Sequence, residues 1–130
     1  EASGNLSQIV DIIRDRPDGF GVLSGDDGLT LAVMAHGGDG LISVISNVVP
    51  RQCAQLCEAM AAGDLEFARR IDAALAPVVR AAFIEANPIP IKAMLAMQGR
   101  MADILRLPLV PLADRHRADA EAALAHAATR

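Results

Sequence analysis

Val22-Leu23-Ser24-Gly25-Asp26-Asp27 and Gly37-Gly38-Asp39-Gly40-Leu41-Ile42-Ser43-Val44-Ile45-Ser46-Asn47 decide the fold of this chain. In each, an apolar run meets small and polar turn residues. Phe20 to Ser24 reads as a short buried strand and Leu41 to Ile45 as a second. Between them Leu29, Val33 and Met34 recur at helical spacing. Asp27 can cap that helix, and Gly37-Gly38 stops it, since glycine takes the left-handed C-terminal position without a Cβ penalty. Strand, helix and strand in so short a span make a parallel crossover. Ligands and chemistry gather at the carboxyl ends of parallel strands, so function is sought there.

Upstream, Asn5 precedes Leu6, Ile9, Val10 and Ile13, an apolar stripe with an N-cap and Gln8 three residues on. Pro17-Asp18-Gly19 ends that helix. Downstream the pattern turns wholly helical. Pro50 opens a helix with Cys53, Leu56, Cys57 and Met60 on one side. Gly63-Asp64 is a stop and a new cap, and Leu65, Ala68, Ile71, Leu75, Val78, Val79 and Phe83 continue at helical spacing. Asn87-Pro88-Ile89-Pro90 breaks the chain before a helix that runs to Gln98, with Gly99 as terminator. Arg106-Leu107-Pro108-Leu109-Val110-Pro111 is extended, because proline forbids a helix and biases its predecessor. Asp114 caps a last Ala-rich helix. Two strands do not make a stable buried parallel sheet alone, so further strands are expected upstream of Glu1.

Composition bounds the function. The chain has 130 residues, 52% of them hydrophobic, with a net charge of −4 and neither Tyr nor Trp. A folded domain follows, and nucleic acid is an unsuited partner, because the aromatic platforms and basic surface it needs are missing. No segment reaches the roughly 18 apolar residues of a membrane span. Glu1 to Gln8 lacks a basic start and an apolar run, so it is no signal peptide, and without an initiator Met the chain is expected to begin inside a longer protein. Cys53 and Cys57 are spaced poorly for a disulfide, which fits a reducing cytoplasm.

The candidate residues each carry a structural alternative. In Ser24-Gly25-Asp26-Asp27, Gly25 would let a substrate approach the backbone; the alternative is strand exit plus cap. Asp26 and Asp27 are adjacent and cannot both point one way, so a paired-carboxylate site is not expected. Gly37-Gly38-Asp39-Gly40 could cradle phosphate, but it leads into a strand rather than a helix, so a turn is expected. Cys53 and Cys57 lack further metal ligands nearby and read as core thiols. His36, His116 and His126 are scattered and read as surface or cap histidines. Lys92, the only lysine, could form a Schiff base, but its place early in a helix reads as structural.

Glu1-Ala2-Ser3-Gly4-Asn5, Ser24-Gly25-Asp26-Asp27, Gly37 to Val44, Asn47, Asn87-Pro88-Ile89-Pro90-Ile91-Lys92 and Arg106-Leu107-Pro108-Leu109 together resemble the C-terminal half of the dihydrodipicolinate synthase family. The motifs stand in register across nearly the whole chain. The resemblance implies an α/β fold: the C-terminal part, strands seven and eight with their helices, of a TIM (β/α)8 barrel, followed by a helical C-terminal domain. Residues 1–63 would be the barrel part and residues 64–130 the helical domain. A whole barrel takes roughly 250 residues.

The resemblance also implies a reaction. A class I lyase condenses pyruvate with L-aspartate 4-semialdehyde to 4-hydroxy-tetrahydrodipicolinate, in lysine (diaminopimelate) biosynthesis. A barrel lysine forms a Schiff base with pyruvate and yields an enamine nucleophile. By the family pattern that lysine stands immediately before Glu1, so the chain as written would hold no catalytic residue and would be inactive alone. A pyruvate-modified lysine or a truncation would each put Glu1 first, and an intact mass equal to the unmodified 130 residues would exclude the former. Ile42 matches the eighth-strand position whose backbone contacts the pyruvyl group. Gly25 matches the seventh-strand glycine beside the second substrate, with Asp26 next to it. No cofactor or metal is implied; the assembly would be a homotetramer, a dimer of dimers. Two other functions remain open: another pyruvate-dependent aldolase of the superfamily, cleaving N-acetylneuraminate or 2-keto-3-deoxy sugar acids, or a non-catalytic α/β-helical interaction module.

Overall fold

The computed structural model describes residues 1–128. Its elements run α1 (Leu6–Asp15), β1 (Leu23–Ser24), α2 (Thr30–Ala35), β2 (Gly40–Leu41), α3 (Pro50–Ala61), α4 (Leu65–Ala82), α5 (Ile89–Met97) and α6 (Asp114–Ala128). Single 3-10 turns at Asp27–Leu29 and Ile45–Asn47 follow the two strands. The chain divides into two compact units, Glu1–Ser43 with Arg51–Ala73, and Val44–Pro50 with the residues from Ala74 onward.

In the first unit α1 begins as its sequence dictates. Asn5 Oδ1 accepts the Gln8 N–H at 3.3 Å, while Ser3 Oγ accepts the Asn5 N–H at 3.2 Å. Ser3 thus takes the place in the cap that Gln8 was expected to fill. Ile9 and Ile13 from α1 meet Val22 beside β1 and Val33 of α2 in one buried cluster, with Leu6, Ile12 and Leu29 packed on it. Each such burial contributes about 1.5–3 kcal/mol. Gly37 closes α2 at φ +99°, in the left-handed region expected of it. Farther on, Cys53, Leu56 and Ala59 form the buried stripe of α3. Asp64 caps α4, its Oδ1 accepting the Phe67 N–H at 3.0 Å.

Three local expectations need correction. The strands are shorter than Phe20–Ser24 and Leu41–Ile45. Phe20 is an exposed turn residue whose N–H donates to the Pro17 carbonyl at 3.1 Å. Ile45, at the other end, is buried in a 3-10 turn. Asp26, not Asp27, caps the turn that leads into α2: its side chain accepts the Gly28 N–H at 2.9 Å. Asp114 is the first residue of α6 rather than its cap.

In the second unit α4 ends at Ala82, leaving Phe83 exposed beyond it rather than in the core. The same helix accommodates Pro77 in its interior, at the loss of one backbone donor. α5 is apolar nearly all round, burying Ile89, Pro90, Ile91, Ala93 and Met94, and it packs on α6. The small residues Ala120, Ala123 and Ala127 line the buried face of α6. Met101 to Ala113 form neither helix nor strand, as the prolines require.

Candidate active site

The sheet is parallel, with Leu23 opposite Gly40 and Ser24 opposite Leu41. The ladder runs on a little at each end: Asp39 N–H donates to the Val22 carbonyl and Ile42 N–H to the Ser24 carbonyl, each at 2.8 Å. On the other side of β1 lies Glu1. Its amino group donates to the Leu23 carbonyl at 2.8 Å, and Gly25 N–H donates to the Glu1 carbonyl at 2.7 Å. That alternation is the bond pattern of a parallel strand pair. It sets Glu1 level with Ser24 and Leu41.

Side chains alternate along strands, so the register sorts the residues into two faces. Leu23, Gly25, Gly40 and Ile42 share one; Ser24, Leu41 and Ser43 share the other. The first face is open, with Leu23 38% and Ile42 66% exposed, whereas Ser24 is fully buried. Gly25 and Ile42 come out level with each other on the open face. The structure therefore brings together the two residues singled out for the pocket. In a regular ladder the next bond would run from Asp26 N–H to the Ile42 carbonyl. Instead Asp26 N–H goes to Ser24 Oγ at 3.3 Å, and the strand pair ends there.

Gly25 has a packing reason to be glycine. A Cβ there would stand 2.9 Å from Ala2 Cβ and 3.3 Å from the Glu1 carbonyl oxygen. The adjacent acids diverge, as their spacing requires. Asp26 caps the turn, while Asp27 is 5% exposed and accepts a hydrogen bond from Ser43 Oγ. Ser43 Oγ also lies 3.9 Å from Cys53 Sγ. Burial pushes the Cys53 thiol up to about 11, the nearby Asp27 charge adding to the rise and the Ser43 bond opposing it. Sequence reasoning missed this Asp27–Ser43–Cys53 link. The one available signal was that Ser43 must face away from Ile42.

The other singled-out residues take structural places. Asp39, within Gly37-Gly38-Asp39-Gly40, accepts the Val22 N–H at 2.7 Å and pairs with Arg16. Those two bonds, the backbone one foremost, hold its carboxyl below the usual range. A carboxylate so placed suits a turn and opposes a phosphate. Lys92 Nζ donates to the Ile104 carbonyl. His36 is the C-cap of α2, His116 Nε2 lies 3.8 Å from Glu85 Oε1, and His126 is in the last turn of α6. Among the described residues no group of three His, Cys, Asp or Glu side chains is placed to hold a metal ion, and no helix is long and apolar enough to cross a membrane.

Residues 1–127 match the dihydrodipicolinate synthetase family. The chain belongs to that family. It is 46% identical over 124 residues to a 4-hydroxy-tetrahydrodipicolinate synthase of Maridesulfovibrio salexigens, covering 95% of this chain and 42% of that protein. Among solved structures, the dihydrodipicolinate synthase of Thermotoga maritima superposes at a TM-score of 0.95, with 37% identity over all of this chain and 45% of that one. The chloride-inhibited dihydrodipicolinate synthase of Acinetobacter baumannii, solved in complex with pyruvate, gives a TM-score of 0.93 at 33% identity, over 98% of this chain and 44% of that one. The chain thus spans about two fifths of the length of the curated relatives it matches. Its fold is the C-terminal part of the dihydrodipicolinate synthetase barrel with its helical appendix, and β1 and β2 are the seventh and eighth strands.

Proposed function

We propose that this chain supplies the seventh and eighth strands of a class I lyase that condenses pyruvate with L-aspartate 4-semialdehyde to 4-hydroxy-tetrahydrodipicolinate. In this reading the residue encoded ahead of Glu1 is the Schiff-base lysine, residues 1–63 are barrel and residues 64–130 the helical domain. One observation carries it. The Glu1 ladder bonds at 2.8 and 2.7 Å continue a parallel strand beside β1. By the alternation of strand side chains, the residue before Glu1 falls on the face that bears Gly25 and Ile42. An amine there would share one pocket with those two positions.

The chemistry follows from that placement. The lysine amine adds to the pyruvate carbonyl and water leaves. The iminium acidifies the methyl group, and loss of a proton gives an enamine whose carbon attacks the aldehyde of the second substrate. Ile42 faces the pyruvyl group with its backbone carbonyl, since its N–H is engaged by the Ser24 carbonyl. Gly25, whose lack of a side chain lets the Glu1–Ala2 strand pack against it, lies beside the second substrate, with Asp26 next to it. The reading places the enzyme in the cytoplasm as a homotetramer, with no cofactor.

Borohydride trapping with pyruvate on the full-length protein tests it. The expected result is a covalent pyruvyl adduct on the residue before Glu1, located by peptide mapping. Absence of any adduct would overturn the reading. Steady-state assays with aspartate semialdehyde, against N-acetylneuraminate and 2-keto-3-deoxy sugar acids, separate the synthase from its superfamily relatives.

A further inference from the structure

We infer that Asp27 is a positioning residue for the pyruvyl subsite: through Ser43 it fixes the strand end that presents the Ile42 backbone. The inference rests on the lyase reading above. It begins from a cost. A buried carboxylate is expensive unless hydrogen bonds satisfy it, and Asp27 is 5% exposed. The turn does not need its carboxylate as a cap, because Asp26 already accepts the Gly28 N–H at 2.9 Å. The Asp27 backbone is separately held, its carbonyl accepting Thr30 Oγ1 at 3.0 Å. The carboxylate itself goes to Ser43, the residue next to Ile42.

Ser43 Oγ donates to the Asp27 carboxyl and lies 3.9 Å from Cys53 Sγ, a contact in which either group can be the donor. With its titration pushed up to about 11 by burial, Cys53 is a thiol at neutral pH. The result is a relay from α3, through the end of β2, to the turn after β1. Hydrogen bonds to a charged acceptor are stronger than neutral ones. This matters because Ile42 contributes through its backbone. A side chain can adjust by changing rotamer, but a carbonyl moves only with its strand, and small misplacements are costly in rate or binding.

The test uses the full-length protein carrying Ser43→Ala, Asp27→Ala, Asp27→Asn and the double variant Asp27→Ala/Ser43→Ala, with steady-state kinetics and borohydride trapping. Ser43→Ala removes only a hydroxyl and keeps the test alive if Asp27→Ala does not fold. The expected result is a KM for pyruvate raised about tenfold in Ser43→Ala, with kcat changed much less. Asp27→Asn, which still accepts from Ser43, should restore most of the loss seen in Asp27→Ala. The double variant should be no worse than the worse single one, as for two ends of one bond. A Ser43→Ala protein that traps pyruvate with KM unchanged overturns the inference and leaves the lyase reading standing. A wild-type protein that traps no pyruvate overturns both.

Discussion

A methyl group added at residue 38 would stand 2.6 Å from Val33 Cγ1 and 2.9 Å from the Val33 carbonyl oxygen. The second neighbour is backbone, so α2 itself would have to move. Gly38→Ala is therefore expected to cost about 1–3 kcal/mol, the range for overpacking, read as a lower urea midpoint; an unchanged midpoint would show that α2 yields freely. The neighbouring Asp39 carries a pH dependence. Its carboxyl titrates below its ordinary 3.8 in the folded chain, held chiefly by the Val22 N–H and also by Arg16. A depressed folded pKa contributes stability that is complete above the unfolded value and lost as pH falls through the folded one. The urea midpoint should thus drop as pH is lowered below about 4, and Asp39→Asn should flatten that drop. In sequence the Gly37–Gly40 run reads as a turn rather than a phosphate cradle, because it leads into a strand, but its side-chain bonding is not legible there. The partners of Asp39, Val22 and Arg16, lie far along the chain, and no local pattern shows them.

Helices were legible because their period and their stops are local. Asn5, Gly37, Gly63 and Gly99 end or begin elements where expected, the last three at positive φ. Asn5→Ala should cost about 1 kcal/mol through the lost cap, seen as reduced helicity and a lower unfolding midpoint; no change would mean that Ser3 suffices. Strand limits were not legible. A run such as Leu41 to Ile45 is apolar but for Ser43, and what stops the strand is the loss of ladder partners after Ile42, a tertiary fact. The same holds for α3. The spacing of Cys53 and Cys57 shows a shared face, but their difference in depth is set by what packs on it. Cys53 is buried and Cys57 half-buried, and both thiols are pushed up by desolvation. Iodoacetamide near neutral pH should therefore label Cys57 before Cys53, and slowly, as peptide mass spectrometry can follow. Faster labelling of Cys53 would contradict the burial described for α3.

For the whole molecule, the two faces of a short sheet decide what the chain can do alone. β1 is bordered by Glu1 on one side and by β2 on the other, and among the described residues β2 has no further strand neighbour. The resemblance made β1 and β2 the last strands of a barrel, and the register sets Gly25 and Ile42 level on one face. Neither the facing of Ser43 toward Asp27 nor the level of Glu1 against Ser24 could be read from residue types, because both depend on register. The chain spans 42% of its Maridesulfovibrio salexigens relative, and the nucleophile proposed for the whole enzyme lies outside these 130 residues. The 130-residue chain alone should therefore form no borohydride-trapped pyruvyl adduct on a side chain. It offers a sharp control, because Lys92 is its only lysine. That amine is engaged by the Ile104 carbonyl, on a loop of the second unit. A Schiff base needs a free amine facing the substrate, and the Lys92 amine is taken up by that carbonyl. Peptide mapping separates the cases. Label on the residue before Glu1 in the full-length protein, with Lys92 unlabelled in both, is the expected outcome. Label on Lys92 in the isolated chain would move the nucleophile to the helical domain, and the pocket built on Gly25 and Ile42 would lose its reaction.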